Sequence, residues 1–328
     1  MAHRNLTPAH IGRREKVSDV RRHVGRVVAA VTIVGAVVSG CGGPGGPGTG
    51  AVVGDHVISL NDMEQQVDAA YADRNQLVAN QAFNWGVAGL SRMVVEAAIG
   101  DAIVGAQAEA SGVTVAPADV DRTAQAVALG MFQEQVNAGN QAVQDDTVIR
   151  GLLAVTGRSA HWQTAAIELG RAAVGRVSIV VDELPVRDRA TAERSARILA
   201  TGGPAADALL AGPGARRGAE YKIATDPERA GTVVFGVPQG AVVAYQPSPA
   251  NASWSVARVV SRRTDGAFDS AGADKISLAE KLDIGKRVAQ AEQVSNPVVV
   301  NPRFGVWDPV NFKVVQPADV AGLVILPN

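Results

Sequence analysis

Cys41 is the residue with the clearest chemistry: it is the single cysteine of the chain and closes the string Val38-Ser39-Gly40-Cys41. Small residues before a thiol let a narrow signal-peptidase site take the backbone, and they leave the thiol free to accept a diacylglyceryl group. The apolar run Val27 to Val38 lies just upstream and has 12 residues. As a helix it covers about 18 Å, short of the roughly 30 Å hydrocarbon core of a bilayer. It therefore reads as a signal-peptide core rather than a membrane span. Arg21, Arg22 and Arg26 flank it, with no acid after Asp19. The expectation is a signal peptide over 1–40 and a lipid anchor at Cys41, with palmitate-type acyl chains. That would hold the protein on the outer face of the cell membrane. The residues before Val17 read as an over-long start. Val24-Gly25 fits the twin-arginine motif poorly, which favours the general secretory route.

Little else in the chain offers reactive chemistry. After residue 40 there are two histidines, His56 and His161, with no HxxxH, HExxH or CxxC spacing. A metal site has no support from such a set. His56 reads as a solvated turn residue and His161, beside Trp162 at an expected helix start, as a capping or packing residue. No GxSxG, P-loop or dinucleotide fingerprint occurs, and Asp145-Asp146 is a carboxylate pair without an acid–base partner. No cofactor is expected. Residues 1–40 hold 7 of the 31 Lys+Arg and 2 of the 32 Asp+Glu, so the rest carries a net charge of −6. That balance argues against a nucleic-acid partner.

The remaining candidates are apolar. Phe83, Trp85, Met131, Phe132 and Trp162 can line a groove for peptide segments, since methionine and aromatic surfaces repack around varied partners. The competing reading is that they fill a helical core.

The elements that must position these residues follow from periodicity and turn signals. Gly42 to Gly50 is nearly all Gly and Pro and reads as a tether over 41–50. A short strand is expected at 51–53, a turn at Gly54-Asp55, and a helix capped by Ser59 with Asp62 three residues on. Further helices are expected from about Gly86 to Ser111, from Pro117, and from about Ser159. The texture changes near Gly175, where Val177 to Val181 is a β-branched strand. A short helix follows at Thr191 to Thr201, then strands at Val233 to Val237, Ala241 to Tyr245 and Trp254 to Val260. A late helix at Ser277 to Val294 precedes a strand at Val298 to Asn301, which needs a partner such as Ala51 to Val53. Residues from Val315 on read as a loose tail.

Val53-Gly54-Asp55-His56-Val57-Ile58-Ser59, the phrase Ala110-Ser111-Gly112-Val113-Thr114-Val115 and the closing Val300-Asn301-Pro302-Arg303-Phe304-Gly305-Val306-Trp307-Asp308 resemble the N-terminal domain of SurA- and PrsA-type extracytoplasmic chaperones. In that family the late helix and strand return to complete the N-terminal domain. The stretch from Val177 resembles a parvulin prolyl isomerase in outline, with Val177-Ser178-Ile179-Val180-Val181, Phe235-Gly236-Val237-Pro238-Gln239-Gly240 and Ser253-Trp254-Ser255-Val256-Ala257-Arg258-Val259 at the family's motif positions. The resemblance implies an α+β fold: a mainly helical domain over 51–174 completed by 266–315, an inserted α+β unit over 175–265, and a tail over 316–328. It also implies that parvulin chemistry is lost, because the two histidine positions fall on Ser178 and Ser255, and 162–328 contains no His or Cys. Serine has neither the imidazole's geometry nor its near-neutral pKa. The expected function is a non-catalytic chaperone-like lipoprotein for unfolded or newly exported polypeptides. The alternatives are an envelope scaffold that holds one specific partner and an active prolyl isomerase.

Overall fold

The first strand forms where the Gly/Pro-rich segment ends. In the computed structural model, which describes residues 46–137, 139, 146–248, 253–293 and 297–327, strand β1 (Thr49–Val53) turns at Gly54 into β2 (His56–Ser59). The expected tether therefore gives up Thr49 and Gly50. A Cβ at Gly50 would lie 2.3 Å from Met63 Sδ, so this glycine is kept small by close packing. Strand β7 (Val298–Val300) runs antiparallel on the other side of β1, pairing Ala51 with Val300 and Val53 with Val298. Asn301 adds a backbone bond to Gly50 (2.8 Å) and a side-chain bond to Thr49 (2.9 Å).

Helices follow wherever a cap and an apolar stripe coincide. Ser59 accepts from Asp62 N–H and starts α1 (Leu60–Ala72). Asp73 accepts from Asn75 and Gln76 N–H and starts α2 (Arg74–Ala82), a helix the periodicity does not signal. Then come α3 (Gly86–Gly100), a π turn (Asp101–Gly105), α4 (Ala106–Ala110) and α5 (Pro117–Asn137). Helix α6 (Asp146–Ala173) begins 13 residues before the expected Ser159, which places His161 in mid-helix rather than at a helix start. Its exposed ring lies 3.7 Å from the Asp101 carboxylate.

The second sheet is antiparallel throughout. It contains β3 (Ser178–Val186), β4 (Arg216–Lys222), β5 (Val242–Tyr245), β6 (Trp254–Arg263) and β10 (Leu323–Ile325), in the order β10-β5-β6-β3-β4. Between β3 and β4 run α7 (Arg189–Thr201) and α8 (Gly203–Leu210), and α9 (Pro227–Ala230) follows β4. One face buries Leu184, Val242, Ala244 and Val256 with α7 and α8. The opposite face buries Ile179, Val181, Val243, Ala257 and Val259. Two expectations fail here. Val233–Gly236 is a 3₁₀ turn, its apolar side chains buried without strand pairing. The tail is not loose, since β10 covers the β5 edge that would otherwise present unpaired backbone groups.

The sheet region does not close its own core. After α10 (Ser270–Lys275), helix α11 (Leu278–Gln293), begun by the reciprocal Ser277–Glu280 capping box, sends Ile284 to the sheet core and Ala289 to the helical one. Its crossing with α6 is set by glycine. A Cβ at Gly285 would fall 1.7 Å from Ala166 O, and one at Gly170 would fall 2.0 Å from Lys281 O. Buried Arg287 then ties α11 to two other chain segments through three carbonyls, Gly231 O (2.9 Å) in one and Pro309 O (3.0 Å) and Val310 O (2.7 Å) in the other. Burial pulls its pKa down to about 10. Strands β8 (Val306–Asp308) and β9 (Lys313–Val315) form a separate pair against the helices. The described residues from 46 to 327 belong to one compact unit of mixed α+β structure.

Candidate functional site

A cleft of about 390 Å³ lies between α3, α5 and α6, with Lys313 and Val314 of β9 also lining it. It joins Trp85, Met131 and Trp162, three of the five residues expected to form a peptide-binding groove. The turn that delivers Trp85 is built by Asn84, whose φ of 53° is tolerated better by asparagine than by most residues. Phe83 does not line the cleft. It packs on Trp85 with ring centroids 4.8 Å apart and holds that indole in place. Phe132 likewise sits behind the wall, in the apolar cluster around Ala128, Val148 and Leu152. Trp162 is 3% exposed and belongs mainly to the core, touching the cleft with one edge. Gly100 makes that possible, because a Cβ there would come 2.7 Å from the Trp162 ring. The π turn starts at the next residue, a local irregularity often found near functional sites. Leu90, Met93, Val127 and Val155 complete the apolar wall.

The polar side of the cleft holds residues that sequence reasoning missed: Arg92, Glu96, Arg158 and Gln163. Helical spacing could have grouped Arg158 with Trp162, four residues on and therefore on the same face. Burial raises the Glu96 pKa; the Lys313 charge, the Val314 N–H and the Lys286 charge oppose that rise. Arg158 Nε, Trp162 Nε1 and Gln163 Oε1 are buried and have no hydrogen-bond partner among the described residues. Native proteins leave few such atoms unsatisfied, and three of them meet here.

A broader hollow of about 520 Å³ follows the outer face of α7 and α8 and contains none of the expected residues. Among the described residues no group of three His, Cys, Asp or Glu side chains is placed to hold a metal, and no helix is long and apolar enough to cross a membrane. Cys41 lies outside the described residues.

The sheet region corrects the expectation for Ser178 and Ser255. Ser178 pairs with Arg263 and Ser255 with Pro185, at opposite ends of the β3–β6 ladder. Seven residues of strand separate them, about 23 Å at the usual rise, so they cannot replace two neighbouring imidazoles. A different polar group occupies the sheet face that carries Ile179 and Val181. Glu183, 4% exposed, forms ion pairs with Arg229 and Arg216 and accepts from Tyr221 OH at 2.6 Å. Arg229 also donates to Tyr221 OH (2.8 Å) and Tyr245 OH (2.9 Å). Burial raises the Tyr245 pKa, so the phenol keeps its proton. The readable signal was an acid inside an apolar strand, Val180-Val181-Asp182-Glu183-Leu184. Asp182 points to the other face and pairs with Arg258 at 2.6 Å.

No protein-family model matches the chain, and no curated protein matches it either.

Proposed function

We propose that this chain is a lipid-anchored, extracytoplasmic, chaperone-like protein that holds apolar segments of unfolded or newly exported polypeptides in the α3–α5–α6 cleft, without catalysis. The observation that carries the reading is the meeting of Trp85, Met131 and an edge of Trp162 in one cavity of about 390 Å³ with Leu90, Met93 and Val155. Unbranched methionines at two wall positions let the cleft accept side chains of different shape. The mechanism is shielding: an apolar segment leaves water for the cleft and returns when its own fold competes for it. SurA-type character of the helical part is supported by the β1–β7 pairing, which returns the late strand to the first one. Parvulin-type character of the sheet is supported by its antiparallel strands and by the helix that follows β3. Absence of isomerase chemistry is supported by the separation of Ser178 from Ser255 and by the lack of any imidazole after His161.

The test places a photoreactive residue at Val87, exposed in the first turn of α3 just after Trp85. Crosslinking in living cells should yield many unfolded exported proteins, and Met131→Glu should suppress the yield several-fold. A catch of one folded partner would establish the scaffold reading instead. For the anchor, Cys41→Ser should leave the membrane fraction or remain an unprocessed precursor, because stable attachment takes two acyl chains. Fully processed Cys41→Ser protein that stays on the membrane would rule the anchor out.

A further inference from the structure

The charges in the cleft are unevenly answered. Arg92, Arg158 and Lys313 line it against a single carboxylate, Glu96. Lys313 acts on Glu96, and Lys286, the other cation near that carboxylate, is paired with Asp283 at 3.0 Å. Arg92 and Arg158 form no ion pair with any described residue, as is also true of exposed arginines such as Arg74 and Arg187, but these two face a shared cavity with an apolar wall. Arg158 Nε and Gln163 Oε1 are in addition buried without a partner. Guanidinium groups beside an apolar wall suit a ligand that carries both characters, since a charge-assisted bond to a carboxylate is about twice as strong as a neutral one. The cavity volume lies within the range of ligand pockets, roughly 300–1,000 Å³. It admits one or two side chains and no folded domain.

We infer that the cleft selects extended peptide segments in which an apolar side chain lies next to a carboxylate, the side chain seating against Leu90, Met93 and Met131 and the carboxylate reaching Arg92 and Arg158. This rests on the peptide-holding function proposed above and narrows its clients to acid-flanked apolar segments. Arg158 Nε and Gln163 Oε1 are closed off from solvent as the cleft stands, and Gln163 Nε2 donates to Ser159 Oγ at 3.0 Å, so binding requires both side chains to turn outward and that bond to give way. Their unpaired atoms then meet the carboxylate and a backbone N–H of the ligand. The carboxylate has two sources, an internal Asp or Glu side chain and a chain terminus, and both offer the same two oxygens.

The experiment measures fluorescence anisotropy of labelled apolar decapeptides with the purified full chain. One pair differs only in an internal Glu or Gln, with the C-terminus amidated. A second pair lacks acids and ends in a free carboxylate or an amide. The Glu peptide should bind about tenfold more tightly than its Gln twin, the gain expected of one charge-assisted pair. The gap should close in Arg92→Gln/Arg158→Gln and shrink at high salt. A gap in the second pair alone would assign the site to chain termini rather than internal acids. Equal binding within both pairs, still lost in Met131→Glu, would overturn the selectivity and leave peptide holding intact. No binding by any of the four peptides would remove the peptide-holding reading itself. The peptide comparisons need only the unaltered protein, so a variant that folds poorly does not affect them.

Discussion

Two polar clusters in this molecule use the same residue types to opposite ends. Around Glu183 the buried carboxylate has two arginines and a tyrosine, and Arg229 in turn has two tyrosine hydroxyls. Around Arg158 there are unanswered donors, an unanswered acceptor and two arginines without a carboxylate. The first arrangement is closed and belongs to folding: it fastens α9 to β3, β4 and β5. The second keeps hydrogen-bonding capacity in reserve within a cavity. Satisfied buried charges hold a structure together, while unsatisfied ones beside an apolar wall leave room for something else to bind. The division is not absolute: among the described residues Tyr71 Oη, Gln76 Oε1 and Asn80 Oδ1 are also buried without a partner, as are two nitrogens of Arg262 on β6, although its third reaches Phe235 O at 2.6 Å.

The strongest way to break this contrast is to remove one charge from each cluster. Glu183→Gln should be the more damaging, because it strands Arg229 in a largely buried site. The loss of one partner from a buried ion pair costs about 3–5 kcal/mol. Arg216 contributes less to that figure because its own side chain is 63% exposed. Arg158→Gln, which breaks no pair, should cost less than about 1 kcal/mol. Urea unfolding of both variants beside the parent measures the two values. Equal costs would mean that the pairing around Glu183 carries no special weight.

Much of the helical part was legible from caps and stripes. Ser59, Pro117 and the 3.6-residue recurrence through α3 lie where the structure uses them, although Asp62 serves the Ser59 cap through its backbone N–H and not as a capping-box acid. The strand at Val298 was legible for a different reason: an isolated strand must find a partner, and Ala51–Val53 supplies it. Helix α2 was missed because its stability comes from the Asp73 cap and from packing on α6, not from an apolar stripe of its own. Val233–Gly236 was misread because a buried apolar run has the same composition whether it pairs as a strand or wraps as a turn. Strand β10 was missed because three residues carry almost no periodicity. Its evidence is the bare β5 edge, visible only once the sheet is assembled. In the cleft the large apolar residues were legible by type, but not the fact that Phe83 and Phe132 sit behind Trp85 and Met131. The unpaired arginines were not legible at all, since a missing partner is a property of three-dimensional neighbours.

The smallest expected effect sharpens the contrast from the cleft side and concerns Glu96. Burial raises its pKa in the folded protein, with the Lys313 charge as the largest opposing influence. The folded state therefore holds the proton more tightly than the unfolded state, whose value is near about 4.3. Between that value and the raised one, the folded state binds more protons, so stability falls as pH rises through the window. Near neutral pH the ionised carboxylate is the form that the fold tolerates less well. Glu96→Gln removes that penalty, so the variant should be slightly more stable than the parent near about pH 7. Its advantage should fade toward about pH 3.5, where the parent carboxyl is protonated in both states. Calorimetric melting at the two pH values tests this. A Glu96→Gln protein that melts below the parent near neutral pH would mean that attraction to Lys313 outweighs burial. Glu96 would then belong with Glu183, as a carboxylate that holds the fold together.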